Sequence, residues 1–433
     1  MQTPVTEMFG IEFPILAFSH CRDVVAAVSR AGGLGVLGAV AHTPEGLEVD
    51  LAWIEDEVGD RPYGVDLIVP ARYAGDETGG LKLSDVADLI PAGHRAFLDD
   101  LLDRYDVPDD PDAHSGWTVS SDDVPFSANR ADEHLEVALA HRPALMANAL
   151  GPPPAEMIDR CHEVGVKVAA LAGTRAHAER NVNAGADIII AQGAEAGGHT
   201  GEIGTMVLIP EVVDAVAPVP VLGAGGIGRG RQMAAAMALG AAGVWCGSVW
   251  LTTEEAETHP VVKQKMLAAG SGDTLRSRSL TGKPARMLRT AWADEWNRED
   301  TPDPLGMPLQ PILTNEAQQR IKLEQVRNLF QRIGGFEPEV VGDLIPCPMP
   351  FSYRNRIMIR RQWDKNRQQA VYGFLRAQSR LVFDLERCEI AEEALNEQLL
   401  EVRKNPPPRN MQKVVLRMMP DDWEFHRESF FQN

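Results

Sequence analysis

A histidine in a glycine-rich loop is the residue of this chain whose surroundings most favour chemistry. His199 follows Gly197 and Gly198, and this loop comes directly after the β-branched run 188–190. Such a run predicts a strand buried on both faces, and loops at the carboxyl ends of parallel strands are where side chains converge on a ligand. The spacing leaves two interpretations open, a functional histidine and a polar loop residue.

Two further glycine clusters indicate a phosphate site. Gly225 and Gly226 lie in the run 223–228, and Gly247 and Ser248 follow the apolar run that ends at Cys246. Glycines free backbone N–H groups to point at a phosphate, and loops after the last two strands of a barrel commonly do this. Backbone dipoles of this kind explain how an acidic protein can hold a phosphate without lysines.

The run 223–228 also matches the G-x-G-x-x-G fingerprint of dinucleotide-binding domains. That fingerprint normally follows the first strand, with an acidic residue about 20 positions later at the end of the next strand. Here the next strand ends in Trp245-Cys246-Gly247-Ser248, without a carboxylate. The spacing therefore favours flavin mononucleotide (FMN) in a barrel over a dinucleotide in a Rossmann unit.

Eight alternations of apolar strand and helix precede residue 250 and would position these loops. We predict strands at residues 13–18, 34–37, 63–69, 144–149, 166–171, 188–191, 219–222 and 243–246, and helices at 23–31, 44–58, 154–164, 175–184, 207–216 and 229–239. Eight such units predict an α/β fold, a (β/α)8 TIM barrel, with a doubly wound open sheet as the alternative.

Residues 71–135 interrupt this alternation after the third strand. They show few apolar periodicities and many acidic residues. A long insertion at the carboxyl end of a strand is where barrels place lids and specificity loops, and a solvated excursion is the alternative.

The charge of the chain is uneven. Of 42 basic and 62 acidic residues, 15 of each lie from Gly335 onward, so this tail carries no net charge. The net negative charge therefore lies entirely in the first part of the chain, which indicates two units. A net charge of −20 argues against a general nucleic-acid or anionic-membrane binder. Five scattered cysteines fit a reduced cytoplasmic protein, and without a C-x-x-C pair we predict no metal site. No apolar stretch is long enough to predict a membrane span.

Five segments together resemble the nitronate monooxygenase family, formerly called 2-nitropropane dioxygenases, which are FMN-dependent barrels. They are residues 26–38, 63–67, 191–201, 223–227 and 240–248, and the resemblance extends over about residues 5–320. It implies that His199 is the catalytic base. The cofactor-binding residues that we predict are Asp66, Gln192, Gly197, Gly198, Gly225, Gly226, Trp245, Cys246, Gly247 and Ser248.

Two positions depart from the family pattern. Asp66 stands where the family usually has asparagine, and an ionised aspartate would accept but not donate a hydrogen bond. Its charge would also lower the reduction potential of the flavin. The residues Phe18-Ser19-His20 stand where many members have a methionine-glycine pair, which predicts a different substrate pocket.

The resemblance implies oxidation of nitronates by O2 to a carbonyl compound and nitrite, with small-molecule partners and no metal. The family borders on FMN-dependent enoyl-thioester reductases that use NAD(P)H and share a similar Ala-Gly-Gly-His segment. His199 alone does not separate the two activities. The oligomeric state does not follow from the sequence.

The tail, residues 324–433, differs from the barrel in composition and predicts a small α+β appendage. Residues 353–363 alternate cationic and apolar side chains, residues 371–376 are a second strand candidate, and residues 388–395 open a helix. This segment resembles the central part of the RNA uracil-5-methyltransferase family and ends at Asn433, before the part that would carry that family's catalytic domain. We therefore predict no methylation. RNA binding by the tail remains an alternative function.

Overall fold

The computed structural model divides the chain into two compact units, Met1–Leu344 and Ile345–Asn433. The residues described are 1–40, 42–69, 89–107, 128–149, 151–307, 309–335, 337, 341, 356–364, 369–375, 382–385, 387–388, 391, 393–406 and 413–417. The helix Leu309–Leu329 runs through position 323, where the sequence analysis placed the end of the first domain, and belongs to the first unit.

The first unit is built on a closed barrel of eight parallel strands in the order β1-β2-β3-β4-β5-β6-β8-β9. These strands are β1 Ile15–Ser19, β2 Leu34–Gly38, β3 Tyr63–Leu67, β4 Leu145–Asn148, β5 Lys167–Ala172, β6 Ile188–Gln192, β8 Val221–Ala224 and β9 Gly243–Cys246. Pairing of Leu16 in β1 with Trp245 in β9 closes the ring. The predicted (β/α)8 barrel is confirmed, and the open doubly wound sheet is excluded.

The strands are mostly apolar, as expected where both faces of a strand are buried. Ile188 and Ile190 of β6 belong to the cluster inside the barrel, whereas Ile189 packs outward against helices. We call the first group the inner cluster, and its strand residues are Leu16, Leu34, Val36, Leu145, Ala147, Ala169, Ile188, Ile190, Leu222, Ala224 and Trp245. Side chains therefore fill the barrel, which leaves its carboxyl end as the place for a ligand.

Helices surround the barrel and begin and end at signals that the sequence contains. Those up to β9 are α1 Pro4–Phe9, α2 Arg22–Arg30, α3 Pro44–Val58, α4 Ala92–Arg104, α5 Ala128–His141, α6 Ala155–Glu163, α7 Arg175–Ala184, α8 Thr205–Val216 and α9 Gly230–Ala238. α1 contributes Val5 and Phe9 to the cluster inside the barrel. The side chain of Thr174 caps α7 by accepting from His177 N, and Gly185 ends it in the left-handed region.

The insertion after β3 contains packed helices in its described part. Ile90, Leu98 and Leu102, in and beside α4, pack against Ile312 and Leu313 of the later helix Leu309–Leu329. α5, which begins at Ala128, covers β3 and β4, so the barrel pattern resumes before residue 135. This part is therefore not a solvated excursion. Residues 70–88 and 108–127, which include the rest of the predicted insertion, lie outside the described residues, and its role as a lid stays a prediction.

A small antiparallel sheet beside the barrel was not predicted. It has the order β10-β11-β7, with β7 Gly198–His199, β10 Thr274–Ser277 and β11 Ala285–Leu288. The first unit continues with α10 Pro260–Ala268, α11 Ala291–Trp296 and α12 Leu309–Leu329. The residues after the eighth barrel strand thus return to the loop that bears His199.

The second unit is an α+β module, as the sequence indicates. Its sheet has the order β14-β13-β12-β15 and is antiparallel in all three pairings. The elements are β12 Arg356–Asp364, β13 Gln369–Leu375, β14 Val382–Asp384, α13 Glu393–Lys404 and β15 Lys413–Arg417. Leu395 and Leu399 of α13 are buried with Ile357 and Ile359 of β12. Among the described residues of the whole chain, no helix has the length and apolar character needed to cross a membrane.

Candidate active site

Two polar residues lie on the inner face of the barrel at its carboxyl end. Asp66 of β3 is in register with Gly38 of β2 and with Ala147 of β4, a member of the inner cluster. Gln192 ends β6 beside Ala224 of β8, another member of that cluster. The sequence predicted both residues as cofactor contacts, and the fold brings them to the same mouth.

The carboxyl group of Asp66 is almost completely buried. The residue is 5% exposed, and its Oδ1 is enclosed without a hydrogen-bond partner. Burial raises the pKa of Asp66 to about 7 because a charged carboxylate loses its hydration there. The expectation of an ionised Asp66 that lowers the potential of a flavin therefore does not hold below about pH 7.

His199 is held at the mouth by backbone pairing and by a hydroxyl group. β7 pairs antiparallel with β11, which places His199 opposite Ala285. Its Nε2 lies 2.7 Å from Oγ1 of Thr281, and one side of the residue remains exposed. Partial burial, and then the positive charge of Lys283, lower the pKa of the imidazole. His199 is therefore neutral at pH 7 and able to accept a proton.

The loops after β6 and β8 are joined through Thr205. Its backbone N donates to Glu195 Oε2 at 2.8 Å, and its hydroxyl lies 2.8 Å from the same oxygen and 3.1 Å from Gly225 O, so that these two acceptors share its single proton. Burial opposes ionisation of Glu195, but the hydrogen bonds from Thr205 outweigh it and lower the pKa of the carboxyl. A Cβ at Gly225 would stand 2.7 Å from Thr205 Oγ1, so this close approach requires glycine.

The glycine loop after β8 is fixed from the helix that follows it. Gln232 of α9 donates from Nε2 to Gly226 O at 2.7 Å and accepts from Gly228 N at 3.0 Å. Both glycines lie in the predicted phosphate loop. Two bonds from one side chain give this loop a single shape in advance of any ligand.

The glycines that precede His199 lie close to the loop that follows β9. A Cβ at Gly197 would stand 2.4 Å from Ser248 Oγ, so the two predicted segments are in contact. Gly198 has a φ of 78°, and a Cβ there would meet nothing within 4 Å. Ser248 begins a short 3-10 helix, and Gly247 immediately precedes it. The fold therefore gathers Gly197, Gly198, Gly247 and Ser248 beside His199.

Trp245 and Cys246 direct their side chains away from a phosphate at the mouth. Trp245 belongs to the inner cluster and stacks on Phe18 with ring centroids 6.0 Å apart. Cys246 packs outward, and its carbonyl accepts from Trp250 Nε1 at 2.7 Å. Their side chains thus pack within the barrel and against its outer layer, so a role of Trp245 or Cys246 in holding a phosphate, which stays a prediction, would involve their backbone.

The end of β1 lies against the end of β2. Nδ1 of His20 is 2.8 Å from Gly38 O, and Phe18 packs edge-on against the His20 ring at 5.1 Å between centroids. His20 is exposed. An aromatic and a titratable side chain therefore occupy the place where many family members were expected to have a methionine-glycine pair.

Sequence reasoning missed the residues that position the others. These residues hold the predicted ones in place through contacts that form only in the folded chain; they are Thr281, Lys283, Gln232, Thr205 and Glu195. Thr281, for example, is 82 residues from the histidine that it contacts. Glu195 lay within the matched segment 191–201 and Thr205 just after it, but neither residue was assigned a role.

The site fits a planar cofactor that carries a phosphate. The glycine loops offer backbone where a side chain would collide, and no described residue forms a hydrogen bond to the Asp66 carboxyl. A Cβ at Gly198, next to His199, would meet nothing within 4 Å. These are features of a cradle that a ligand completes.

Two other features lie outside this site. A cavity of about 490 Å³ contains none of the predicted residues, and two of its arginines are held by neighbours, Arg278 by Gly282 O and Arg298 by Asp300. Among the described residues, Cys21, Asp23 and Glu257 place three potential metal ligands within 4.8 Å of one another.

Comparisons with known proteins find relatives named for oxidation reactions. A family model described as nitronate monooxygenase matches residues 2–330. A Mycobacterium tuberculosis protein named "Putative monooxygenase" is 63% identical over 321 residues, which are 74% of this chain and 85% of that protein. An octahydroindene-carboxyl-CoA dehydrogenase of the same organism is 32% identical over 296 residues, 67% of each chain.

A solved structure is also similar. The nitroalkane oxidase from Streptomyces ansochromogenes superposes with a TM-score of 0.59 at 27% identity, and the match covers 73% of this chain and 86% of that one. The match of the family model extends over the barrel, the small sheet and α12. The chain is an oxidoreductase that belongs to the nitronate monooxygenase family.

Proposed function

We propose that the first unit binds FMN and oxidises nitronates with O2 to carbonyl compounds and nitrite. The observation that carries this proposal is a neutral imidazole, His199, fixed at a mouth whose other walls are glycine loops. The likeness to a nitroalkane oxidase supports the substrate class. When bound, the flavin supplies the electron acceptor.

When the substrate arrives as the neutral nitroalkane, His199 takes the proton α to the nitro group and so forms the nitronate that is oxidised. One imidazole nitrogen must then be free of a proton and of a donor. The Thr281 hydroxyl lies 3.4 Å from Lys283 O, and if it donates there, its oxygen accepts from Nε2–H of His199. This tautomer leaves Nδ1 as the base.

The cofactor-binding residues divide by the part of FMN that they would hold. Gln192 and Asp66, on the inner face of the barrel, would meet the ring. The backbone of Gly226, Gly247 and Ser248 would hold the phosphate, because glycine-rich turns expose N–H groups there. The tight contact of Gly197 with Ser248 supports this division.

Anaerobic absorbance spectroscopy tests this function. The purified full-length protein, reconstituted with FMN, is mixed with ethyl nitronate or with NADPH in the absence of O2. We expect the flavin peaks to bleach with nitronate and to return on admission of O2, with release of nitrite. Absence of bound flavin after reconstitution would overturn the proposal.

A second candidate is reduction of an enoyl-thioester substrate by the same barrel, with NAD(P)H as the reductant. The relative named as a carboxyl-CoA dehydrogenase favours it. Bleaching by NADPH alone, with no response to nitronate, would move the assignment there.

The resemblance of the second unit to a fragment of an RNA methyltransferase stays a prediction. Salt-sensitive binding of structured RNA by the full-length chain, lost on removal of residues 345–433, would support an RNA role. Binding absent at low salt would exclude it.

We place the enzyme in the cytoplasm. Four described cysteines, Cys21, Cys161, Cys246 and Cys388, are free thiols, as expected in a reducing compartment. Cell fractionation checks this placement.

A further inference from the structure

The Asp66 carboxyl lacks the contacts that stabilise a carboxylate inside a protein. Its Oδ1 is enclosed without a partner, and no described residue forms an ion pair with it. The positions beside it on the inner face are Gly38 and Ala147, which offer no side-chain donor. A buried carboxyl in such surroundings keeps its proton instead of paying the cost of charge burial.

The charged groups around β3 do not change this conclusion. The helices α2 and α5 pack on the outer face of the barrel, where β3 presents Val65 and Leu67. On the inner side, the titratable neighbour beside Gly38 is His20. Burial is the cause of the raised pKa of Asp66, and no charge on a described residue contributes to it.

We propose that Asp66 holds the flavin ring as a neutral carboxylic acid, donating a hydrogen bond to one of the ring's acceptor atoms. This proposal rests on the proposed function, because it assigns a role toward FMN. The isoalloxazine ring has carbonyl oxygens and ring nitrogens that accept such a bond. The enclosed Oδ1 is then a carbonyl oxygen, which tolerates the absence of a partner far better than a carboxylate oxygen does.

Protonation of Asp66 is therefore coupled to cofactor binding. A carboxylate has no proton to donate and would face the acceptor atoms of the ring. Binding of FMN to the ionised protein must then take up one proton from solvent. An asparagine has nearly the same shape and donates through its NH2 group, but it does not titrate.

FMN fluorescence quenching by the full-length apoprotein tests this coupling from about pH 6 to pH 8.5. For the wild type we expect a constant Kd at the acid end and a rise of about tenfold per pH unit above the titration point of Asp66. Asp66→Asn should bind as tightly as the wild type at low pH and show no rise. His20→Gln, the matched control, should keep the wild-type rise.

A second readout does not require the cofactor. The infrared difference spectrum between the wild-type apoprotein and Asp66→Asn at about pH 6 should contain the C=O stretch of a protonated carboxyl. A flat wild-type Kd, an unchanged slope in Asp66→Asn, or absence of that band would overturn the inference. Failure of every variant to bind FMN would instead overturn the proposed function.

Discussion

His199 is the residue whose replacement should separate two steps of the reaction. A neutral nitroalkane must lose its α proton, whereas a supplied nitronate has already lost it. We expect His199→Gln to lower kcat on the nitroalkane by about 10²–10⁴-fold, the usual contribution of a general base, and to affect the nitronate far less. Oxygen uptake with each substrate measures both rates, and equal losses would assign His199 to binding.

The pH dependence of this proton step follows from the lowered pKa of His199. The unprotonated base persists to lower pH than an ordinary histidine would allow. We expect kcat/KM for the nitroalkane to fall with decreasing pH only below about 6.5, the ordinary histidine pKa. A fall already complete above that pH would contradict a lowered pKa.

Thr281 should affect the base without touching the substrate. Thr281→Val removes the oxygen that lies 2.7 Å from Nε2 and frees the imidazole to change tautomer or turn. We expect a loss of roughly tenfold in nitroalkane turnover, with retention in Thr281→Ser, because one hydrogen bond contributes about 1 kcal/mol. An identical loss in both variants would indicate a packing role for the methyl group.

Asp66 also determines how the stability of the apoprotein varies with pH. Between about pH 4 and pH 7 the folded protein keeps the proton that the unfolded chain releases, so wild-type stability falls as pH rises through this window. Asp66→Asn cannot titrate, and we expect it to become more stable than the wild type by up to about 4 kcal/mol above pH 7. Urea unfolding of both apoproteins at several pH values measures the difference.

Among single residues, the sequence predicted those that lie in a recognisable local pattern, such as a glycine-rich loop after an apolar strand. His199 and the phosphate-loop glycines follow recognisable strands, and the fold places them together. Thr281 and Gln232 carry no such signal, because their roles arise only when distant segments meet. The protonation of Asp66 depends on burial, which a motif does not contain.

Among the elements, α9 fixes the glycine loop that precedes it, which we propose holds the phosphate. Gln232→Ala removes both side-chain bonds to the loop, and we expect FMN to bind about tenfold more weakly because the loop is no longer fixed beforehand. Gln232→Glu keeps an acceptor for Gly228 N and loses the donor to Gly226 O, so its effect should be intermediate. An unchanged Kd in Gln232→Ala, from FMN fluorescence titration, would show that the loop holds its shape alone.

The barrel strands were predictable because each is a short apolar run between turn residues, and the fold buries both faces. β10 and β11 were not, since Arg276 and Arg286 interrupt their apolar pattern and both strands are only four residues long. α4 was missed in an acidic region because its burial depends on α12, about 200 positions later. The secondary structure of these segments is therefore determined by tertiary packing and not by the local pattern of apolar residues.

For the whole molecule, the site residues all belong to the unit Met1–Leu344. A chain that ends at Leu344 should therefore keep FMN binding and nitronate turnover within about twofold of the full-length protein, since distant changes are usually additive. Spectra and oxygen uptake of both proteins measure this. Loss of flavin on truncation would assign residues 345–433 a part in the site or in folding.

The pairing of β7 with β11 also sets the order in which the enzyme matures on the ribosome. Chains fold progressively from the amino end, so the ring of strands can close once β9 has emerged. His199 is already outside by then, but its partner strand extends to Leu288, and Thr281 lies just before that strand. His199 is thus synthesised before the barrel can close and is among the last residues of the mouth to be fixed.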